Sequence, residues 1–489
     1  MKSFLRQDEA IEVKRLDYPI KRFESIDAAC EENYLPLSWC RYGYNVTLKH
    51  GVIYGGIGIN EAKIENHNIP DAVTVGSRIV KAVIFKGNGN NDTEVSVALM
   101  QNRKLYTAHF NDETFTDSGI TFASRNVTFL KYHYNGVDCL IVICDDGQTF
   151  IFDGSTFTQV NNAPRMTSAC IHNERVYGTV STGTNRLYFS DDLDPTNWNV
   201  SLTEGGYIDF PDEGGKVTGV TSFKGNLYIF REFAIHKLSA YIDQTDYVLT
   251  KVLSGNSRIY FNGSAVCSDA IIILTDDGFL RFDGYSFKRV FRGVDPLVSG
   301  RKDAVSCYFN NKYYLACKIK RDNVVVGDEI VDNNVNNGMI IYDFSDDSFG
   351  IFRGADIGYF LPVNVTGTYE LFVLFGPYRG VKIGAVDNSG KLFGVSLKKL
   401  WLSPVTDFND VNRDKVLKRI FITTDTPVTL KIKMGRTACY NVGSSDYSQV
   451  LPVNMRAPKI GLEISTDQST FCVRNMYLEF DYIKRARKD

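Results

Sequence analysis

An all-β fold, a β-propeller of about six to eight blades with a small C-terminal antiparallel lobe, is what three features of the sequence predict. Helical periodicity is nearly absent. Short apolar or alternating runs of four to eight residues recur, separated by Gly, Asn and Asp turns. A strand–turn–strand unit then repeats at a spacing of about 40–50 residues, the period of a four-stranded propeller blade. Aromatic residues are 13% of the chain, a composition that favours strands.

The unit is clearest in two copies. Residues 144–157 run Cys-Asp-Asp-Gly-Gln-Thr-Phe-Ile-Phe-Asp-Gly-Ser-Thr-Phe, and residues 275–287 run Thr-Asp-Asp-Gly-Phe-Leu-Arg-Phe-Asp-Gly-Tyr-Ser-Phe. Asp-Gly pairs supply the positive backbone angles that tight hairpins require. Weaker copies occupy 82–115, 168–198, 220–241, 306–352 and 369–395, which gives seven candidate blades. One of them is expected to close with a strand from each end of the chain. The expected divisions are an N-terminal arm with first strands over 1–59, the propeller over 60–414, and the lobe with a basic tail over 415–489. Four longer strands are predicted in the lobe, at 416–423, 428–433, 459–465 and 471–482. Short helical pieces are expected at 25–32 and, as a turn, at 406–411.

Composition narrows the function. The chain has 489 residues, 44% of them apolar and 23% charged, so it is neither disordered nor a coiled coil. With 55 Lys+Arg against 57 Asp+Glu, it lacks the basic excess of a dedicated nucleic-acid clamp. No run approaches the length of a membrane span. Charges at Lys2, Arg6, Asp8, Glu9, Glu12, Lys14 and Arg15 leave no room for a signal peptide, which points to synthesis in a cytosol. The 10 cysteines are scattered, several within apolar runs such as 139–144, and are expected to be buried reduced thiols.

Chemistry-bearing patterns are sparse. The carboxylates Asp145, Asp146, Asp153, Asp276, Asp277 and Asp283 could serve calcium, yet turn geometry alone accounts for them and the EF-hand spacing is absent. Ser190-Asp-Asp-Leu-Asp-Pro-Thr-Asn-Trp198 resembles the Asp-box of sialidase-like propellers, with Asp194 in place of its glycine and the Trp one position late. That element stabilises a turn and is not catalytic. The histidines (His50, His67, His109, His133, His172, His236) lack metal-ligand spacing. No Walker loop, no G-x-S-x-G and no strand–G-x-G-x-x-G–helix unit occurs. No enzymatic activity, cofactor or metal is expected. The one basic cluster is Lys484, Arg485, Arg487 and Lys488, read first as a solvated tail and, as the functional alternative, as a tether to an acidic partner surface or to DNA phosphates.

Several segments together resemble one phage family. They are Tyr-Leu-Pro-Leu-Ser at 34–38, Leu-Tyr-Phe-Ser-Asp-Asp-Leu-Asp-Pro-Thr-Asn-Trp at 187–198 and Gly-Val-Thr-Ser-Phe-Lys-Gly-Asn-Leu-Tyr-Ile-Phe at 219–230. The Asp-Asp-Gly…Phe-Asp-Gly unit and the lobe beginning at 416–422 belong to the same pattern. The family is the tail hub, or nozzle, of short-tailed double-stranded DNA phages, also called packaged-DNA stabilisation protein or tail tubular protein B. The resemblance covers most of residues 30–482. It implies a virion protein made in the host bacterial cytoplasm and assembled as a homo-hexameric ring below the portal and its adaptor ring. Tail fibre or needle proteins would be further partners. The genome would leave through the ring without sequence-specific binding. The chain is much shorter than the tail tubular branch, so the extra platform domains of those nozzles are not expected. A receptor- or carbohydrate-binding propeller of the tail is the alternative, and a polysaccharide-degrading enzyme a third reading, although no feature picks out a pair of opposed carboxylates. Polar insertions at 86–92, 181–185, 209–216 and 321–337 are candidate contact loops, the last expected to be mobile or ordered only by a neighbouring chain.

Overall fold

In a computed structural model, the structure describes residues 13–484 apart from 65–66, 71, 73–74, 88–93, 110–111, 181–184, 241–243, 322–323, 327–328, 332–334, 366, 377–381 and 411–412. Seven four-stranded antiparallel blades form a ring, as the repeats predict. Their innermost strands are Ile79–Lys86, Val127–Tyr134, Ser168–His172, Val217–Phe223, Ile259–Val266, Val305–Phe309 and Ile357–Val365. Each packs beside the next, and the seventh packs beside the first, so the ring closes. Every one of the seven candidate repeats falls in its own blade.

The second strands explain the continuous apolar runs. In blade 2, Cys139, Ile141 and Ile143 pack with Ala169 and Val176 of blade 3. The intervening Leu140, Val142 and Cys144 pack with Val95, Val97 and Leu99 of blade 1. A strand has a side-chain period of two, so one buried on both faces must be apolar at every position. Blade 4 repeats this, with Leu227 and Ile229 toward blade 3 and Tyr228 and Phe230 toward blade 5.

Blade 7 takes its fourth strand, Gly58–Glu61, from the N-terminal segment, antiparallel to Ile383–Asp387, and the short strands Lys391–Leu392 and Val395–Ser396 extend the sheet beyond it. The expected closure by strands from both ends is therefore present. Blade 6 continues outward. Its last strand, Ser348–Arg353, pairs with Val46–Lys49 through Val46 and Ile351, and Val52–Gly55 then joins Cys472–Lys484.

The terminal strands build two sheets. One carries Val13–Ile20, Cys472–Lys484, Arg413–Thr424 and Ser445–Ala457. The other carries Tyr42–Tyr44, Lys399–Leu402, Gly461–Thr466, Val428–Met434 and Arg436–Val442. Their buried residues, among them Leu417, Ile420, Leu430, Ile432, Ile464, Leu478 and Phe480, belong to one apolar cluster. The lobe is therefore a small sandwich. It draws strands from both ends of the chain, and the segment expected to be a free arm contributes one of them.

The junction between propeller and sandwich is polar. The fully buried Arg353 guanidinium donates to Asn337 O (3.2 Å) and to the Tyr42 hydroxyl (2.8 Å). Asn45 Nδ2 donates to Arg353 O (2.8 Å) and Lys398 O (2.9 Å). The buried Lys399 ammonium donates to Leu397 O (2.9 Å) and Gln468 O (2.8 Å), and burial pushes its pKa down to about 8.

No α-helix occurs among the described residues, and no helix is long and apolar enough to cross a membrane. The helix expected at 25–32 is replaced by irregular chain leading into a single 3-10 turn, Glu32–Tyr34. Tertiary bonds take the N–H groups that a helix would need. Asp27 N donates to Cys40 O (2.9 Å) and Ala28 N to Gly293 O (2.6 Å).

Candidate functional site: a sheet face built from both chain ends

The first terminal sheet joins strands from the two ends of the chain. Along Cys472–Lys484, Met476, Leu478 and Phe480 turn into the core, which leaves Asn475, Tyr477, Glu479 and Asp481 on the other face. A register shift between Leu417 and Arg419 keeps Leu417, Ile420 and Ile422 inward while Arg419, Phe421 and Thr423 share the outer face. Arg15 and Asp17 border them on one side, Val450 and Pro452 on the other.

Glu479 lies at the centre with only 5% exposure. Arg419 Nε donates to it at 2.6 Å, and Arg15 pairs with its other oxygen. Lys418 pairs with Asp481 at 3.3 Å. The rings of Phe421 and Tyr477 meet edge to face, 5.3 Å apart. Three cations and three carboxylates thus balance around an aromatic pair, and Val450 is half exposed beside them. Such a face has little net field and presents apolar area, which suits burial against another protein surface. Its two edge strands carry Pro19 and Pro452, residues that blunt an open sheet edge.

The basic cluster is placed only at its first residue. Lys484 ends the strand Cys472–Lys484 opposite Arg413, while Arg485, Arg487 and Lys488 lie outside the described residues. Val13 pairs with Ile483, so the two chain ends leave the same corner of this sheet. Sequence reading singled out the charges of 14–22 but missed Arg419 and Glu479. Their only signal is alternation within strands whose partners were unknown.

The other candidates resolve into turns. Asp153 Oδ1 accepts from Ser155 N and Thr156 N, both at 2.8 Å, and Asp283 Oδ1 accepts from Tyr285 N and Ser286 N, both at 2.8 Å. Asp146 accepts from Ala123 N (2.7 Å) and Gln148 N (3.0 Å), and Asp276 from the Tyr260 hydroxyl (2.6 Å). In the Asp-box-like segment, Asp194 accepts from Thr196 N (2.9 Å) and the buried Trp198 donates to Pro195 O (2.9 Å). Among the described residues, no three His, Cys, Asp or Glu side chains are grouped to hold a metal. Burial pushes the thiols of Cys40, Cys267 and Cys317 up to about 12. Cys439 departs from the expected buried thiols, lying exposed on an edge strand.

Asp145 has a different setting. With Lys81, Thr128, Ser168, Thr218 and Asn262 it lines a cavity of about 500 Å³ on the propeller axis. Lys81 Nζ donates to Val127 O (2.6 Å), and burial lowers its pKa to about 8 against the pull of Asp145.

Of the candidate contact loops, residues 88–92, 181–184, 322–323, 327–328 and 332–334 lie outside the described residues. Part of 321–337 is ordered all the same. Val324–Val326 pairs with Glu329–Val331, and Val324 and Val326 are buried, so the insertion covers core that its polar sequence hides. In 209–216, Asp212 pairs with the buried Arg231 and with Lys251, and it lies 3.7 Å from His236.

No family model and no curated protein matches the chain. Among solved structures it is similar to PorZ, a surface component of the type-IX secretion system of Porphyromonas gingivalis, with TM-score 0.41 and 12% identity over 76% of this chain and 47% of that one. This chain thus spans about half the length of PorZ. It is also similar to BBS1N, solved in complex with ARL6DN (TM-score 0.40, 7% identity, 63% and 91% covered). A third likeness is to the AfRom2 CNH domain (TM-score 0.39, 8% identity, 65% and 96% covered). Neither the names nor the scores bear on a tail role. The β-propeller is established by the chain's own strand order and closed ring.

Proposed function

We propose that this chain is a non-catalytic structural protein of the virion, a tail hub or nozzle subunit that forms a homo-hexameric ring below the portal and adaptor of a short-tailed phage. The observation that carries the reading is the charge-balanced sheet face around Glu479, built from both chain ends in a sheet continuous with blade 6. A ring subunit binds through broad faces and not through one reactive group. Here the polar side chains of the conspicuous turns are already engaged by their own backbone. Val13 and Lys484 stand at one corner of this face.

The test is complementation. A phage lacking the gene is supplied with the full chain, with a chain lacking residues 485–489, or with one carrying Phe421→Asp and Tyr477→Asp. Particles are then purified, analysed by mass spectrometry and imaged. The full chain should appear as a ring of six below the portal. Both variants should keep the wild-type melting profile within a few degrees yet incorporate poorly. Full incorporation of the face variant would remove this face from the assembly, and peripheral location would remove the hub reading.

A further inference from the structure

A second surface combines features that the assembly face does not need. The outer strand of blade 5, Phe287–Val290, runs into a turn at 291–293 that is clamped from two sides. Phe291 has φ of +56°, a strained setting for a bulky side chain. Its ring is held against Tyr342 (4.5 Å) and Phe349 (5.2 Å). Gly293 O accepts from Ala28 N, and a Cβ at Gly293 would come within 2.6 Å of Ile26 O. The N-terminal segment, blade 5 and blade 6 are thereby locked around a cleft of about 480 Å³.

The cleft is cationic and aromatic. Arg281 is paired with Asp269, and Arg289 donates to Asp277 O. Lys288 and Arg292 line the cleft, are exposed and have no ion pair among the described residues. The two carboxylates on its walls are partly engaged. Asp27 Oδ1 accepts from Ala29 N (2.9 Å) and Cys30 N (3.0 Å), while Asp347 accepts from the Tyr342 hydroxyl. Half-buried Trp39 and Phe344 supply flat apolar walls.

We propose that this cleft binds an acidic polysaccharide, one carboxylate-bearing sugar seated between Lys288 and Arg292 with its ring against Trp39. An ammonium on the strand and a guanidinium on the turn that follows it match a single carboxylate, the guanidinium by paired hydrogen bonds. A sugar ring offers hydroxyls that donate to Asp27 and Asp347 and an apolar face for the indole. A nucleic-acid strand fits less well. In DNA the 3′ and 5′ oxygens of every sugar are esterified, so the backbone offers Asp27 and Asp347 no hydroxyl donors. The proposal does not depend on the hub assignment, and a chain that fails to enter particles could still bind the glycan.

Trp198 and Trp401 are buried, so a ligand-induced change in tryptophan fluorescence reports on Trp39. The full chain is titrated with oligogalacturonate, with α2,8-linked polysialic acid, with neutral maltohexaose and with a single-stranded thymidine oligonucleotide. At least one acidic glycan should change the fluorescence and bind about tenfold or more tightly than maltohexaose. Lys288→Glu with Arg292→Glu should weaken that binding at least tenfold with the melting temperature unchanged within a few degrees. Trp39→Phe should abolish the optical response while calorimetry still detects residual binding. No binding of either acidic glycan, equal binding of maltohexaose, full affinity in the charge-reversed variant, or tighter binding of the oligonucleotide would each overturn the assignment.

Discussion

The propeller and the terminal sandwich solve the same problem, covering sheet faces, in opposite ways. Within blades 1–5 each strand pairs with its neighbour in sequence, and Asp-Gly turns at 153–154 and 283–284 fix registers locally in blades 2 and 5. In the sandwich, Val13–Ile20 finds its partner in Cys472–Lys484 at the far end of the chain. Specificity there comes from side chains instead of turns: Arg15 and Arg419 on Glu479 across the sheet, and Arg353 with Asn45 and Tyr42 at the junction. Repetition makes local turns sufficient. A structure made once from distant strands depends on long-range polar pairing.

The contrast breaks most sharply at the junction. Arg353→Met should cost about 3–4 kcal/mol, because Tyr42 and Asn337 lose a buried charged donor. Chemical denaturation should then resolve two transitions, with the sandwich melting first. A single transition displaced by less than about 1 kcal/mol would mean that the two bodies are not joined through this residue.

Acid should act on the propeller. Burial, with Arg231 and Lys251 nearby, lowers the pKa of His236 to about 4, against about 6.5 in the unfolded chain. Asp212 and the Phe210 ring also face it. Between those values the unfolded state binds the extra proton, so stability falls as pH drops from about 6.5 to 4, by up to about 3 kcal/mol. His236→Gln should flatten that limb of the stability–pH curve. An unchanged slope would locate the acid sensitivity elsewhere.

Glu479→Gln should cost about 1–2 kcal/mol and lower the first transition of the Arg353→Met background further, placing the loss in the sandwich. Smallest is the turn effect. Asp153→Ala should cost about 1 kcal/mol through the lost bonds from Ser155 N, Thr156 N and the Thr156 hydroxyl. Asp283→Ala should lower the melting temperature in the same sense, and the double variant should be additive because the turns lie in different blades. A strongly non-additive pair would mean that blades are not the local units described here.

The propeller was legible because its information is local. Asp145-Asp146-Gly147 and Asp276-Asp277-Gly278 each announce a hairpin, and doubly buried strands such as 139–144 read as unbroken apolar runs. The sandwich was legible only in pieces. Its C-terminal strands stand out by length, but no pattern in Val13–Ile20 names Cys472–Lys484 as its partner, and the strands at 436–442 and 445–457 are too polar on their exposed faces to stand out. The site was less legible still. The basic tail is conspicuous in sequence, whereas Glu479 gains its setting from arginines that lie 464 and 60 residues away.

The strand Gly58–Glu61 leaves the ribosome early, yet the strand it must pair with, Ile383–Asp387, follows more than 300 residues later. At roughly 5–20 residues per second that is a wait of roughly 15–65 s, during which six blades can form while the outer strand of the seventh has no partner. The sandwich waits longer, for Cys472–Lys484. Nascent chains therefore carry unpaired strand edges through most of their synthesis. A message truncated before residue 357 lacks the inner strand that closes the ring, and such a product should be captured by chaperones or cleared by proteases.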